Sequence, residues 1–203
     1  MKSILNIGAG KIKPLYIENL TQKYFLIQLD PMYHSYVEMS LTEKYHNIWR
    51  HETKEQSEVV KVKEKAFDFL GSYCYQFDHI ACYRYLEHVT KPEIQTFLYL
   101  MSTALKVGGT LDIIVPNYEI LADMILNEKI DEDTKHAEWE RHDTQLTYEL
   151  LNEPSMPHAS IWTPQRINYF FQLEERFKVE NIVDCFEFDG RSCYLRAKIR
   201  RVK

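Results

Sequence analysis

The chain has 203 residues, of which 45% are hydrophobic and 27% charged, and its formal net charge is −5. This length and balance fit one compact domain with a substantial core and leave little room for a second. The acidic balance argues against a protein built around a phosphate backbone, and no membrane-spanning apolar run or secretory signal occurs. The four cysteines form no C-x-x-C pair or metal-ligand spacing, so we expect reduced thiols in a cytoplasmic protein without a membrane partner.

Short apolar runs alternate with longer amphipathic stretches, which is the pattern of βα units around a mostly parallel sheet. Strands are predicted, in chain order, at residues 3–7, 24–29, 59–62, 77–82 and 110–115. A helix is predicted before the fifth strand, because Pro92 suits a first turn and apolar residues recur at helical spacing as far as Leu105. Gly108 and Gly109 then end the helix and turn the chain.

Two segments depart from this alternation. Residues 33–58 are interpreted as a mainly polar connection, and their histidines indicate a solvated face rather than a metal site. Residues 118–164 begin with a helical pattern, become strongly charged and then return to apolar and aromatic residues. This second segment is interpreted as an insertion or lid.

The chain ends with its strongest hairpin signal, since segments 181–188 and 193–199 flank Asp189-Gly190. The sequence therefore predicts a single α/β domain over residues 1–203. Its sheet is expected to be Rossmann-like and mostly parallel, with helices on both faces and a C-terminal antiparallel hairpin.

A glycine turn follows the first predicted strand. Gly8-Ala9-Gly10 would let the backbone approach a ligand closely, next to the unpaired N–H groups of a helix N-terminus. Lys13 stands where a dinucleotide fingerprint has its third glycine, which argues against a nicotinamide-dependent oxidoreductase. Asp30 ends the second strand, where an acidic side chain can accept hydrogen bonds from ribose hydroxyls.

Four segments in order resemble the successive motifs of class I S-adenosylmethionine-dependent methyltransferases: LNIGAG at 5–10, FDHI at 77–80, LEHV at 86–89 and LKVGG at 105–109. Residues 157–164 resemble a segment of a subgroup of predicted small-molecule or glycan methyltransferases, including phage proteins. The resemblance is best over about residues 3–116. The chain departs from the family at Asn6, where an acidic residue is usual, and at Lys11-Ile12, where a third small residue is frequent.

The resemblance implies a class I methyltransferase fold and S-adenosyl-L-methionine as the cofactor. It places the methionyl end of the cofactor on the glycine turn, the ribose on the second strand, the adenine after the third and the sulfonium just past the fourth. The residues implied for these contacts are, in that order, Gly8, Ala9 and Gly10, Asp30, Asp68 with the Phe69 backbone, and Cys82 with Tyr83.

A methyl acceptor that is a hydroxyl or a protonated amine needs a base to take its proton. His158 is the first candidate, because Trp162 and two prolines frame it; His88, His142 and Asp143 are the others. Glu87 and His88 fit equally well as residues that brace the following helix. The acceptor pocket is expected to be lined by Tyr118, Tyr148 and Trp162, and no metal is expected.

Three functions remain as interpretations of these motifs. The first is a methyltransferase acting on a small molecule or a sugar-like, glycan acceptor. The second is an inactive binding or scaffold protein with a methyltransferase fold, suggested by Asn6 and Lys11-Ile12. The third is a nucleic-acid methyltransferase, because residues 30–33 partly match the D-P-P-Y box that grips an extruded base. That box belongs after the fourth strand, so its position after the second, with the acidic charge, disfavours nucleic acid.

Overall fold

The structure is a computed structural model that describes residues 2–8, 24–29, 44–45, 48–52, 58–62, 65–72, 76–127, 158–187 and 192–203. The strands within these residues are β1 (Lys2–Ile7), β2 (Tyr24–Leu29), β3 (Lys44–Tyr45), β4 (Ile48–Glu52), β5 (Glu58–Val62), β6 (Phe77–Tyr83), β7 (Leu105–Pro116), β8 (Phe177–Glu187) and β9 (Ser192–Arg201). The helices are α1 (Ala66–Ser72), a single 3₁₀ turn (Leu86–His88), α2 (Ile94–Ala104), α3 (Tyr118–Leu126) and α4 (Pro164–Leu173). None of the described helices is long and apolar enough to cross a membrane.

The described strands form one sheet in the order β3-β4-β5-β2-β1-β6-β7-β9-β8. The five strands from β5 to β7 in this order are parallel to their neighbours. β9 is antiparallel to both β7 and β8. From β1, the strands β2 to β5 follow on one side of the sheet, and β6 to β9 follow on the other. The switch point of the topology therefore lies between β1 and β6. The predicted fold class, including the C-terminal hairpin, is confirmed.

The structure adds a feature at one end of the sheet. β3 and β4 pair with each other, and β4 pairs antiparallel with β5. The interpretation of residues 33–58 as a connection is therefore wrong for these seven positions, 44–45 and 48–52. Both strands are short and carry charged side chains, which is typical of sheet edges and hides them from a search for apolar runs.

The predicted turn at Gly108-Gly109 also differs, because β7 begins at Leu105, directly after α2, and runs through both glycines. Gly108 has a φ of 81°, and a Cβ on Gly109 would lie 2.8 Å from the Lys106 carbonyl oxygen. The pairing of β6 with β7 is irregular here, between Phe77 and His79. The glycines thus mark an irregular strand start instead of a turn outside the strand.

The main core lies on one face of the sheet, where α1, α2 and α4 pack against it. Their buried side chains are Ala66, Phe69 and Leu70 from α1, Ile94, Phe97, Leu98 and Met101 from α2, and Ile167, Phe170 and Phe171 from α4. A smaller buried cluster, with Ala81, Tyr83, Ile114 and Tyr194, lies on alternate positions of β6, β7 and β9. The helices thereby pack in one core with buried residues of β1, β6 and β7. Of the predicted insertion or lid at 118–164, the structure describes residues 118–127 and 158–164. Residues 128–157 lie outside the described residues, and the lid stays a prediction.

Candidate active site

The carboxyl ends of the central parallel strands meet at one edge of the sheet. Ile7 at the end of β1 pairs with Cys82 of β6, and Tyr83 pairs with Ile114 of β7. Gly8 follows the first of these strands, the 3₁₀ turn follows the second, and Tyr118 follows the third. Open α/β sheets bind ligands in this position, at the switch point of the topology.

Gly8 occupies a position that suits only glycine. Its φ is 70°, and its amide donates to the Leu29 carbonyl at 3.0 Å. A Cβ there would lie 2.7 Å from the Tyr83 carbonyl oxygen and 3.0 Å from Cβ of Tyr85. The turn therefore lies tightly against the end of β6 and presents backbone, without a side chain, at the switch point.

His158, His88 and Tyr118 come from three distant segments of the sequence and meet at this edge. Tyr118 Oη lies 2.8 Å from His158 Nδ1, within hydrogen-bond distance. The imidazole rings of His88 and His158 are 5.1 Å apart, with an interplanar angle of 71°. Two of the four predicted bases and one predicted pocket residue are thus in one cluster, although their chemical roles stay predictions.

Backbone hydrogen bonds hold His158 in place. The amides of Ala159 and Ser160 both donate to the Glu87 carbonyl, at 2.7 and 2.9 Å. The Tyr118 amide donates to the Trp162 carbonyl at 3.1 Å. The segment from 158 to 162 is thereby attached to both the 3₁₀ turn and the start of α3. α4 then starts with Thr163 as its N-cap, which accepts from the Arg166 amide at 3.2 Å, and Pro164 in its first turn.

Trp162 packs in the core next to the segment that carries His158. Its side chain is fully buried, and its Nε1 donates to Ser160 Oγ at 2.9 Å and to the Leu86 carbonyl at 3.3 Å. It also packs against Phe170, with ring centroids 5.7 Å apart. The described contacts of Trp162 are those of a core side chain, and its role as a lining residue of the acceptor pocket stays a prediction.

Cys82 and Tyr83 are also placed differently from the prediction, since they are the last two residues of β6 and not the residues after it. Cys82 is fully buried in the main core, and burial raises the pKa of its thiol far above the ordinary range. Tyr83 lies in the smaller cluster, where its hydroxyl donates to Asp112 Oδ2 at 2.8 Å. Both side chains pack within the sheet, and their predicted contact with the sulfonium stays a prediction.

Asp68 and Phe69 lie in the first turn of α1, after β5. Asp68 is exposed, whereas the Phe69 side chain is in the core and its amide donates to the Lys65 carbonyl at 3.0 Å. The exposed Asp68 carboxylate is therefore accessible for the predicted contact with adenine. The Phe69 amide already donates a hydrogen bond within the helix. Of the other predicted site residues, six lie outside the described residues and stay predictions: Ala9, Gly10, Asp30, His142, Asp143 and Tyr148.

Glu87 is a buried carboxyl for which the sequence predicted only contacts that stabilise the following helix. Its side chain is 1% exposed, and burial raises its pKa to about 8, against a smaller opposing effect of its own backbone amide and of Arg84. Its Oε2 has no hydrogen-bond partner within the described part of the chain. One ligand atom each from Glu87, His88 and His158 lie within 4.8 Å of one another. The sequence could have indicated Glu87 as a site residue, because two adjacent ionisable residues that follow a buried strand lie at the ligand-binding edge of such a sheet.

No protein-family model matches the chain, and no curated protein matches its sequence. Solved structures do match across the whole chain. The N-methyltransferase NodS from Bradyrhizobium japonicum, bound to S-adenosyl-L-homocysteine, has a TM-score of 0.58 at 16% identity, over 100% of this chain and 79% of NodS. The 1,6-didemethyltoxoflavin-N1-methyltransferase from Burkholderia thailandensis has a TM-score of 0.55 at 14% identity, over 100% and 72%.

An rRNA enzyme is similar to the same degree. The 16S rRNA (adenine(1408)-N(1))-methyltransferase from Catenulisporales acidiphilia has a TM-score of 0.54 at 11% identity, covering 100% of this chain and 86% of that one. At these identities the likeness concerns the fold, and the matched proteins act on different acceptors. Together with the strand order, it shows that this chain has the class I fold of S-adenosylmethionine-dependent methyltransferases.

Proposed function

We propose that this protein is an S-adenosylmethionine-dependent methyltransferase that acts on a small-molecule or sugar-like acceptor. The observation that carries the proposal is the cluster of His88, His158 and Tyr118 at the carboxyl edge, beside the switch point marked by Gly8. Ionisable side chains from three segments that meet at the ligand-binding edge favour an active enzyme over a binding protein with the same fold.

The turn at Gly8 fits such a cofactor, because it brings bare backbone to the switch point where a Cβ would collide with β6. The cofactor supplies an activated methyl group, so the protein's own task is to align the acceptor and remove its proton. His158 is proposed to take that proton, with Tyr118 orienting its ring and His88 beside it. Asp68 is proposed to contact the adenine, and Asp143 and Tyr148 to complete the acceptor site.

A small acceptor is favoured over nucleic acid by charge. The chain carries 25 Lys and Arg against 30 Asp and Glu. Several basic side chains of β9 are already paired, since Arg196 contacts Asp112, and Arg200 and Lys198 contact Glu180. These cations are thereby neutralised in ion pairs between β9 and its two neighbouring strands and form a poor surface for phosphates.

Calorimetry with S-adenosylmethionine, S-adenosylhomocysteine and NAD tests the cofactor assignment. We expect saturable binding of both sulfur ligands and none of NAD, because the chain lacks the third glycine of the dinucleotide motif. If neither sulfur ligand binds at millimolar concentration, the proposal fails.

Methyl transfer then separates an enzyme from a binding protein. The full chain is incubated with labelled S-adenosylmethionine and a small-molecule extract, with heat-killed protein and an RNA fraction as parallel samples. We expect label in the small-molecule fraction only. Label in RNA would favour the nucleic-acid alternative, and cofactor binding without any transfer would favour the scaffold.

A further inference from the structure

Glu87, His88 and His158 form a three-residue cluster with the donor set of a metal site. The three ligand atoms, one carboxylate oxygen and two imidazole nitrogens, all lie within 4.8 Å of one another. Two histidines and one carboxylate are a common ligand set for divalent transition metals in sites that keep coordination positions open for water or substrate. We propose that this cluster binds a divalent transition-metal ion such as Zn²⁺.

The state of Glu87 is the first argument for a cation. The carboxyl is 1% exposed, and its Oε2 has no hydrogen-bond partner within the described residues. A buried carboxyl oxygen without a partner is costly, and native proteins satisfy such atoms almost always. A cation held with His88 and His158 would satisfy this oxygen and compensate the charge.

The placement of the histidines is the second argument. Their rings are 5.1 Å apart, and both are half-buried, so a cation between them would be shielded without being sealed. Tyr118 Oη contacts His158 Nδ1 at 2.8 Å, which is the kind of contact that metal-bound histidines make with their other nitrogen. Metal–ligand bonds of about 2.0–2.2 Å require the donor atoms to lie within about 4 Å of one another. Small side-chain rotations would bring the three donor atoms from their present separation to this distance.

Backbone hydrogen bonds join the two segments that carry the three ligands, which suits a preformed site. The Glu87 carbonyl accepts from the amides of both Ala159 and Ser160, and so ties the segment of one ligand to that of the other two. The inference does not depend on the proposed function. If the protein is also a methyltransferase, the cation would bind the acceptor and lower its pKa, and His158 would serve as a metal ligand, which replaces the role of base proposed for it above.

Direct metal binding tests the proposal. The untagged full chain is stripped with a chelator and titrated with Zn²⁺ by calorimetry, and with Co²⁺ by visible absorption. We expect saturable binding of one ion per chain. Glu87→Gln and His158→Asn should each weaken binding at least about tenfold, because even the outer contacts of metal sites have effects of that size. The matched control, Glu119→Gln, changes an exposed carboxylate on α3 and should leave binding unchanged.

Several results would overturn the inference. They are the absence of saturable binding, binding that survives both substitutions, and a thiolate charge-transfer band in the Co²⁺ spectrum, which would place the ion on a cysteine. If Glu87→Gln does not fold by circular dichroism, the half-buried His88→Gln takes its place. Retained S-adenosylhomocysteine binding without zinc binding overturns this inference alone, whereas zinc binding without S-adenosylhomocysteine binding overturns the proposed function alone.

Discussion

At the scale of single residues, the turn after β1 depends on Gly8. We expect Gly8→Ala to lower the free energy of unfolding by about 1–3 kcal/mol, because a non-glycine residue at a φ of 70° is strained. The new Cβ would also press on the Tyr83 carbonyl, which is backbone and cannot rotate away. The displaced turn should weaken S-adenosylhomocysteine binding more than tenfold. Urea unfolding and calorimetry measure the two effects.

Gly71 provides the matched control. It lies in α1 with nothing within 4 Å of its added Cβ, so Gly71→Ala should be neutral or stabilising by up to about 1 kcal/mol. A well-folded Gly8→Ala protein that binds S-adenosylhomocysteine as tightly as the original chain would contradict the assigned role of the turn.

The residues of the site were predictable to different degrees. His158, His88 and Tyr118 were found as candidates because their side chains have the right chemistry and lie just after predicted strands or in an unusual segment. Cys82 and Trp162 satisfied the same criteria but are fully buried. Position along the sequence does not show whether a side chain turns toward a ligand or into the core, since one residue of shift changes the face of a strand.

At the scale of elements, Asp78 joins three strands at the edge opposite the site. Its Oδ2 accepts from the Ser3 amide and hydroxyl and from Lys106 Nζ, each at 2.9 Å, and so links β6 to the start of β1 and to β7. Burial opposes ionisation, but these hydrogen bonds prevail and lower the pKa of Asp78 to about 2, from an ordinary 3.8. The carboxylate therefore stabilises the fold fully above about pH 4, and its contribution is lost as the pH falls toward 2.

Acid titration of Asp78→Asn measures this contribution. The original chain should lose more stability between pH 4 and pH 2 than the variant does, because the variant has no such proton to take up. Urea midpoints at each pH, followed by circular dichroism, give the comparison. Glu119→Gln on α3 changes an exposed carboxylate and is a control that should follow the original chain. Equal pH slopes for the original chain and Asp78→Asn would show that the link between these strands is not electrostatic.

The elements themselves were predicted well where they are buried on both faces. β1, β2 and β6 appear as apolar runs because the parallel strands lie under packing on both sides. β3 and β4 were missed because an edge strand such as Ile48–Glu52, with Arg50, His51 and Glu52, has the polarity of a loop. Its pairing with β5 depends on the tertiary fold, which local sequence does not encode.

At the scale of the whole molecule, topology brings the candidate site together. Residues 88, 118 and 158 meet because β6 and β7 are parallel neighbours and the segment before α4 returns to the same edge. The parallel order was predictable from the alternation of strands and helices. The return of the segment that follows His158 to the Glu87 carbonyl was not, because it depends on backbone hydrogen bonds from Ala159 and Ser160, more than seventy positions away. This is why the cluster of Glu87, His88 and His158 was not found from the sequence.

The same topology predicts how stability is distributed across the sheet. β1 is paired on both sides, and Ile4, Leu5 and Ile7 are fully buried. β8 is an edge strand, yet it pairs with β9 along almost its whole length and its first residue, Phe177, packs on Phe171 of α4. β3 has only two residues at the other edge. The two edges of the sheet should therefore differ in protection against amide hydrogen exchange.

Hydrogen exchange followed by mass spectrometry tests this asymmetry. We expect amides of β1 and β6 to exchange only through global unfolding, with rates that rise steeply with urea. Those of β8 that bond to β9 should exchange somewhat faster, whereas β3 and β4 should exchange through local opening that is nearly independent of urea. Adding S-adenosylhomocysteine should slow exchange in the central strands, because a ligand that binds only the folded state adds to its stability by mass action. Protection of β3 and β4 equal to that of β1 would contradict this distribution, since it would require the short edge to unfold together with the centre of the sheet.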